Sequence, residues 1–260
     1  MNQVKAILCL LLVSLSIACK KESPPINWKA ELSKHGAMGE AYEKMIAKKC
    51  AGTCQWTRVS TKALRFDGVI QAESYQEFIK KIDAEVEEII LNSVGGSVES
   101  ALAIATEIKR RNINVTVKGF CISSCANYLF LAGNKKMIDG IVGYHGNAQA
   151  LHKNACTENS DSRQCQLTKS EKAFFDSIGM SNLLFDVTQS LDKGMQTGLN
   201  YAYYAPGKDT LKALGVKGVE GEQKHEFILE MKKLHDEFKL PEFLVATDPN
   251  PTISTKLKQI

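Results

Sequence analysis

Between Glu88 and Gly146 the chain alternates short aliphatic runs with helical segments, almost without spacer, and no proline interrupts it. Ile89–Asn92 reads as a short buried strand that runs on into Gly95–Gly96. Behind it, Val98, Ala101, Leu102, Ala105 and Ile108 fall at i, i+3, i+4, i+7 and i+10, with Glu99, Glu107, Lys109 and Arg110 on the opposite side. That spacing predicts an amphipathic helix. Asn114–Val117 is the next predicted strand, Ser124–Ala132 the next helix and Gly140–His145 a further strand. Strands alternating with helices fold most economically as an α/β domain, a parallel sheet with crossover helices. In such sheets functional groups gather at the carboxyl ends of the strands.

The joints of this pattern carry residues with acyl-transfer chemistry. Gly95–Gly96 ends a strand where backbone N–H groups can face a forming oxyanion. Ser123 and Ser124 open a helix between Cys121 and Cys125, and His145 stands between Gly143–Tyr144 and Gly146. A hydroxyl that attacks, an imidazole that takes its proton and donors for the oxyanion are the parts such a site needs. Each also has a plainer use: a serine there caps a helix, a diglycine makes a tight turn, and a strand histidine is often just satisfied. His152, His225 and His235 lie in polar or charged surroundings and read as solvated.

Around this core, Leu64–Ile70 reads as a strand and Tyr75–Val86 as a helix, with Phe78, Ile79, Ile82 and Val86 at helical spacing. Ala37–Lys49 reads as a short helix. Downstream, a helical stretch from about Ser170 to Lys193 is followed by Tyr201–Pro206, a helix through Leu211 and Leu214, and a charged amphipathic helix from Glu222 to Lys239. The domain is expected over 37–240. Residues 241–260, with Pro241, Pro249 and Pro251, read as a loose tail.

The amino terminus points out of the cytoplasm. Lys5 precedes an uncharged run from Ala6 to Ile17, too short to span a bilayer, which stops at Ala18–Cys19–Lys20–Lys21. Residues 1–18 are expected to be a signal peptide. Leu15–Ser16–Ile17–Ala18–Cys19 resembles a bacterial lipobox, in which Cys19 becomes the lipidated first residue; Ser16–Ile17–Ala18 also fits an ordinary small-x-small cleavage site. On the first reading, 19–36 is a tether to a membrane, at the outer membrane if the cell is Gram-negative, and the protein works in the periplasm or cell envelope. Removing Lys5 with the leader takes the formal charge from +4 to +3. That is too mild, and too evenly mixed, for a nucleic-acid partner. Of the eight cysteines, the six beyond Cys19 suit a disulfide framework. Spacing suggests Cys50/Cys54, Cys121/Cys125 and Cys156/Cys165, while the connectivity stays open and a zinc site is the alternative.

The order of these pieces is recognisable. From Leu64 to about Val219 the chain resembles the Clp-protease/crotonase superfamily, closest to exported Clp-protease-like proteins of bacteria. The matching words are Asn92–Ser93–Val94–Gly95–Gly96–Ser97–Val98, Gly119 to Ser124, Asn127–Gly133 and Gly143–Tyr144–His145, then Ala205–Pro206 and Leu214–Gly215–Val216. The resemblance implies repeated ββα units with crossover helices and a serine peptidase with a Ser–His–Asp triad. Counting back nine residues from Gly133 selects Ser124 as nucleophile; counting forward four from Gly119 selects Ser123. Ser124 is the choice made here, since a helix tolerates insertion less readily than a loop. His145 is then the base, and the N–H groups of Gly96 and Cys125 hold the oxyanion. The family's acid would fall near Tyr201–Tyr203, where no carboxylate stands; Asn200 and Asp192 are the candidates. Cys125 as a thiol nucleophile is a further alternative.

The expectation is therefore an exported serine hydrolase acting without cofactor on peptides or unfolded protein, with the Cys156–Cys165 segment overhanging the cleft. Its rival is a degenerate relative that binds a peptide or envelope partner without turnover. Crotonase-type acyl-CoA chemistry is disfavoured because coenzyme A is cytoplasmic. Homo-oligomeric rings are common in the superfamily and stay open here.

Overall fold

The structure is a computed structural model, and it describes residues 55–151, 154–192, 201–224, 226–229, 233 and 244–248. Its centre is a six-stranded sheet of β1 (Gln55–Ser60), β2 (Ala63–Ile70), β3 (Glu88–Gly96), β4 (Asn114–Ile122), β5 (Lys136–Gly143) and β7 (Val219–Gly221), in the order β1-β2-β3-β4-β5-β7. β1 runs antiparallel to β2 as a hairpin, and the other neighbours are parallel. Parallel neighbours require crossovers. α1 (Ser74–Lys81) joins β2 to β3, α2 (Val98–Arg110) joins β3 to β4, and a π-helix (Cys125–Phe130) joins β4 to β5. The expected α/β class holds, and the strands are longer than the aliphatic runs suggest, because β3 and β4 continue through polar residues toward the site.

β3 shows why one face is core. Ile89, Leu91, Ser93 and Gly95 are buried, while Glu88, Ile90, Asn92, Val94 and Gly96 are half-buried, a strict alternation of period two. The buried face joins Leu64, Phe66, Val115, Val117, Ile138 and Val142 to Ala101, Leu102, Ile104, Ala105 and Ile108 of α2 in one apolar cluster. Each fully buried aliphatic side chain there contributes about 1.5–3 kcal/mol. Ser97 caps α2 by accepting from Ser100 N at 3.2 Å. Trp56 closes the β1 edge: its ring lies 4.8 Å from that of Phe66 and 4.6 Å from that of Phe78, and its indole N–H donates to Ser74 O.

After β5 come the short helices α3 (Ala148–Leu151) and α4 (Ala155–Glu158), then α5 (Arg163–Ile178) and α6 (Leu183–Asp192). The single helix expected from Ser170 to Lys193 is two, because Gly179 adopts φ +68° and terminates α5. β6 (Tyr201–Ala205) precedes α7 (Lys208–Ala213), and β8 (Leu244–Thr247) pairs with β6 in parallel. The loose-tail reading of 241–260 is thus corrected over 244–248. Asp248 there accepts from Tyr204 OH at 2.6 Å and from Gly207 N at 2.7 Å. The expected leader, tether, Ala37–Lys49 helix and Cys50/Cys54 pair, and most of the Glu222–Lys239 helix, lie outside the described residues.

Candidate active site

Three strand ends converge. β3 finishes in Gly95 at φ +87° and Gly96 at φ +142°, values that favour glycine. Space demands it as well: a Cβ on Gly95 would stand 2.7 Å from Ile122 O, 2.8 Å from Ser123 Cβ and 2.9 Å from Ser124 N. The diglycine is therefore the surface against which the serine segment rests.

β4 delivers that segment. The Asn92 side chain crosses from β3, donating to Asp67 at 2.9 Å and accepting from Phe120 N at 3.1 Å, against the bare Gly119. Ser123 follows at φ +57°, one of only two non-glycine residues with positive φ among those described. For an L-residue this conformation costs about 1–2 kcal/mol. Three local ties hold it: Ser123 N donates to Gly143 O at 3.0 Å, Asn127 N donates to Ser123 O at 2.8 Å, and a disulfide joins Cys121 to Cys125, both fully buried. Strained residues held in this way cluster at functional sites.

β5 brings the imidazole. His145 Nε2 lies 2.6 Å from Ser123 Oγ. Ser124, buried, points elsewhere and donates to Gly96 O at 2.9 Å. The hydroxyl that meets the His145 ring is that of Ser123, where the backward count expected Ser124. The segment that follows, Cys125–Phe130, is a π-helix, and its i→i+5 ring encloses one more residue than the i→i+4 ring that a backward count from Gly133 assumes. The forward count from Gly119 is free of this insertion. The N–H that directly follows Ser123 in the chain is Ser124's and not that of Cys125. The bridge to Cys121 removes the thiol alternative.

The turn after His145 is fastened on several sides. Asn127 Nδ2 donates to Gly146 O at 2.7 Å, Gly146 N donates to Thr188 Oγ1 at 3.1 Å, and Asn147 Nδ2 donates to Asn182 Oδ1 at 2.8 Å. Behind them Glu171, fully buried on α5, accepts from Ala148 N at 3.1 Å, Gln149 N at 2.7 Å and the Tyr128 hydroxyl. Burial, and then the neighbouring carboxylate, push the Tyr128 phenol well above its ordinary pKa. On the remaining side, the Tyr203 ring stands 5.2 Å from the imidazole at 82°. The sequence gives no signal for Thr188 or Glu171 at the site, since each acts through a contact distant in sequence; Asn127 and Tyr203 lie in segments that the resemblance marks, but their contacts are not legible there. Of the two candidates for orienting His145, Asn200 lies outside the described residues, as does the side chain of Asp192.

The second described disulfide joins Cys156 to Cys165. Arg163, at the start of α5, bonds Glu99 in the first turn of α2 at 2.5 and 2.8 Å. The bridged segment is thereby fastened next to the diglycine turn. Among the described residues no cluster of three or more His, Cys, Asp or Glu could hold a metal, and no helix is long and apolar enough to cross a membrane.

No protein-family model matches the chain, and no curated protein does. Among solved structures, a probable enoyl-CoA hydratase/isomerase from Mycobacterium abscessus is similar over 71% of this chain and 74% of its own, at 9% identity and a TM-score of 0.32.

Proposed function

We propose that this chain is a serine hydrolase, with peptides or unfolded protein segments as substrates, in which Ser123 is the nucleophile and His145 the general base. The observation that carries this reading is the 2.6 Å contact between Ser123 Oγ and His145 Nε2. With its proton on Nδ1, the neutral imidazole accepts the hydroxyl proton through Nε2 as Oγ attacks a carbonyl carbon. The carbonyl oxygen becomes an oxyanion facing the N–H groups of Gly96 and Ser124. The intermediate collapses as His145 returns the proton to the leaving amine or alcohol. Water then attacks the acyl-serine with His145 again as base, which frees the acid and restores Ser123. One such oxyanion donor is typically worth about 3–4 kcal/mol of barrier.

Export belongs to the same proposal, with Cys19 as the anchor. Two bridges among the described cysteines support an oxidising compartment, where such bonds persist. A fluorophosphonate probe tests the chemistry on the purified protein. Labelling of the wild type, lost in Ser123→Ala and retained at a reduced rate in Ser124→Ala, is the expected pattern. A wild type that never labels supports the non-catalytic peptide binder instead, and labelling lost only in Ser124→Ala reverses the assignment of the serines.

A further inference from the structure

We propose that Tyr203 is a positioning residue for His145, its ring holding the imidazole in the plane that meets Ser123. This rests on the hydrolase reading for its catalytic consequence. A histidine χ2 is a broad torsion, so the bond to a hydroxyl that itself rotates leaves the ring plane to the groups around the imidazole. A perpendicular ring packed beside it restricts that plane directly.

The backbone places that ring. Tyr144 and Tyr204 form an antiparallel bridge with both N–H···O bonds at 2.8 Å. In antiparallel pairing the residues on either side of a bridged pair also face each other, so His145 faces Tyr203. The two rings lie 5.2 Å apart at 82°, the edge-to-face geometry that aromatic pairs prefer. Gly143 leaves the strand bare where the tyrosine rests: a Cβ there would stand 3.4 Å from Tyr203 Cβ and 3.7 Å from its Cγ. β6 itself is held by β8 and by Asp248, which accepts from the Tyr204 hydroxyl at 2.6 Å. The ring's seat thus comes from a strand pair remote from the serine segment, and it acts on the imidazole whichever group Nδ1 meets.

The test compares Tyr203→Phe with Tyr203→Leu in the full chain, reading the fluorophosphonate labelling rate and the ¹⁵N shifts of the His145 ring at neutral pH. Tyr203→Met replaces the leucine variant should that one not melt cooperatively. The phenylalanine variant is expected to label within about twofold of wild type, whereas the leucine variant slows by roughly 10- to 100-fold, the scale of a misaligned reacting group. In the leucine variant the ¹⁵N shifts move toward those of a tautomer-averaged free imidazole, and phenylalanine restores them. Wild-type labelling and shifts in Tyr203→Leu overturn the proposal, as does a phenylalanine variant as impaired as leucine. If the wild type does not label at all, the hydrolase reading fails by itself, and the ¹⁵N comparison still decides whether Tyr203 sets the imidazole.

Discussion

Replacing Gly95 with alanine perturbs the contact surface between the diglycine turn and the serine segment by a single methyl group. The new Cβ would lie 2.7–2.9 Å from Ile122 O, Ser123 Cβ and Ser124 N. Relief requires shifts of about 0.5–1 Å to reach ordinary carbon contact distances. Two of the three atoms are backbone, and the segment they belong to is closed by the Cys121–Cys125 bridge and tied to Gly143 O. The turn also holds position 95 at φ +87°, where the methyl is strained. Left-handed strain of about 1–2 kcal/mol and overpacking of about 1–3 kcal/mol together predict a loss of about 2–5 kcal/mol. For a domain of this size that lowers Tm by roughly 4–20 °C. Because the segment that must yield carries Ser123, the labelling rate falls by roughly 10- to 100-fold. Gly179→Ala is the control: its φ is +68°, but no atom lies within 4 Å of the new Cβ. It carries only the strain, about 1–2 kcal/mol, and leaves labelling unchanged. Thermal melts and labelling rates on both variants decide the matter. Gly95→Ala behaving like Gly179→Ala in both assays would refute the close approach as the device that aims the serine.

Lys136 is buried, donates to Gly133 O and Lys217 O, and burial, aided by the charge of Lys109, pushes its amine down to about 8 from 10.5. A lowered lysine pKa means the unfolded chain binds more protons between those values, so this group's contribution to stability rises with pH through that window. Urea melts should show wild type gaining about 2 kcal/mol relative to Lys136→Met between pH 7 and pH 9.5, and parallel profiles would sink the idea. Removing the buried Glu171 carboxylate by Glu171→Ala leaves three donors without their acceptor and should cost about 3–5 kcal/mol, against about 1–2 kcal/mol for Tyr128→Phe, measured by chemical denaturation. A Cys121→Ser/Cys125→Ser double variant should lose about 2 kcal/mol from its short closed loop. It should also label more slowly, since the bridge constrains the residues on both sides of Ser123; a wild-type rate would show the bridge to be a staple alone.

The sheet was readable because its evidence is local. Ile89, Leu91, Val115 and Val117 announce strands, and the 3.6-residue repeat of α2 announces its crossover. β1, β6, β7 and β8 have no such local signal, because short strands at an edge or in a small sheet are defined by the partner that accepts their hydrogen bonds. The break at Gly179 was visible as a glycine but not as a left-handed one, since helical periodicity resumes beyond it.

At the site, the residue types and their order along the chain follow from the sequence: a diglycine at one strand end, two serines between cysteines, a histidine after a later strand. Which serine meets the histidine does not. That depends on a π-helix whose extra residue shifts the register, on a positive φ sustained by contacts to Gly95, Asn127 and Gly143, and on a tyrosine facing His145 across a strand bridge. Composition and periodicity record what each short segment prefers by itself. The direction of a hydroxyl depends on groups distant along the chain, and only the folded structure brings those together.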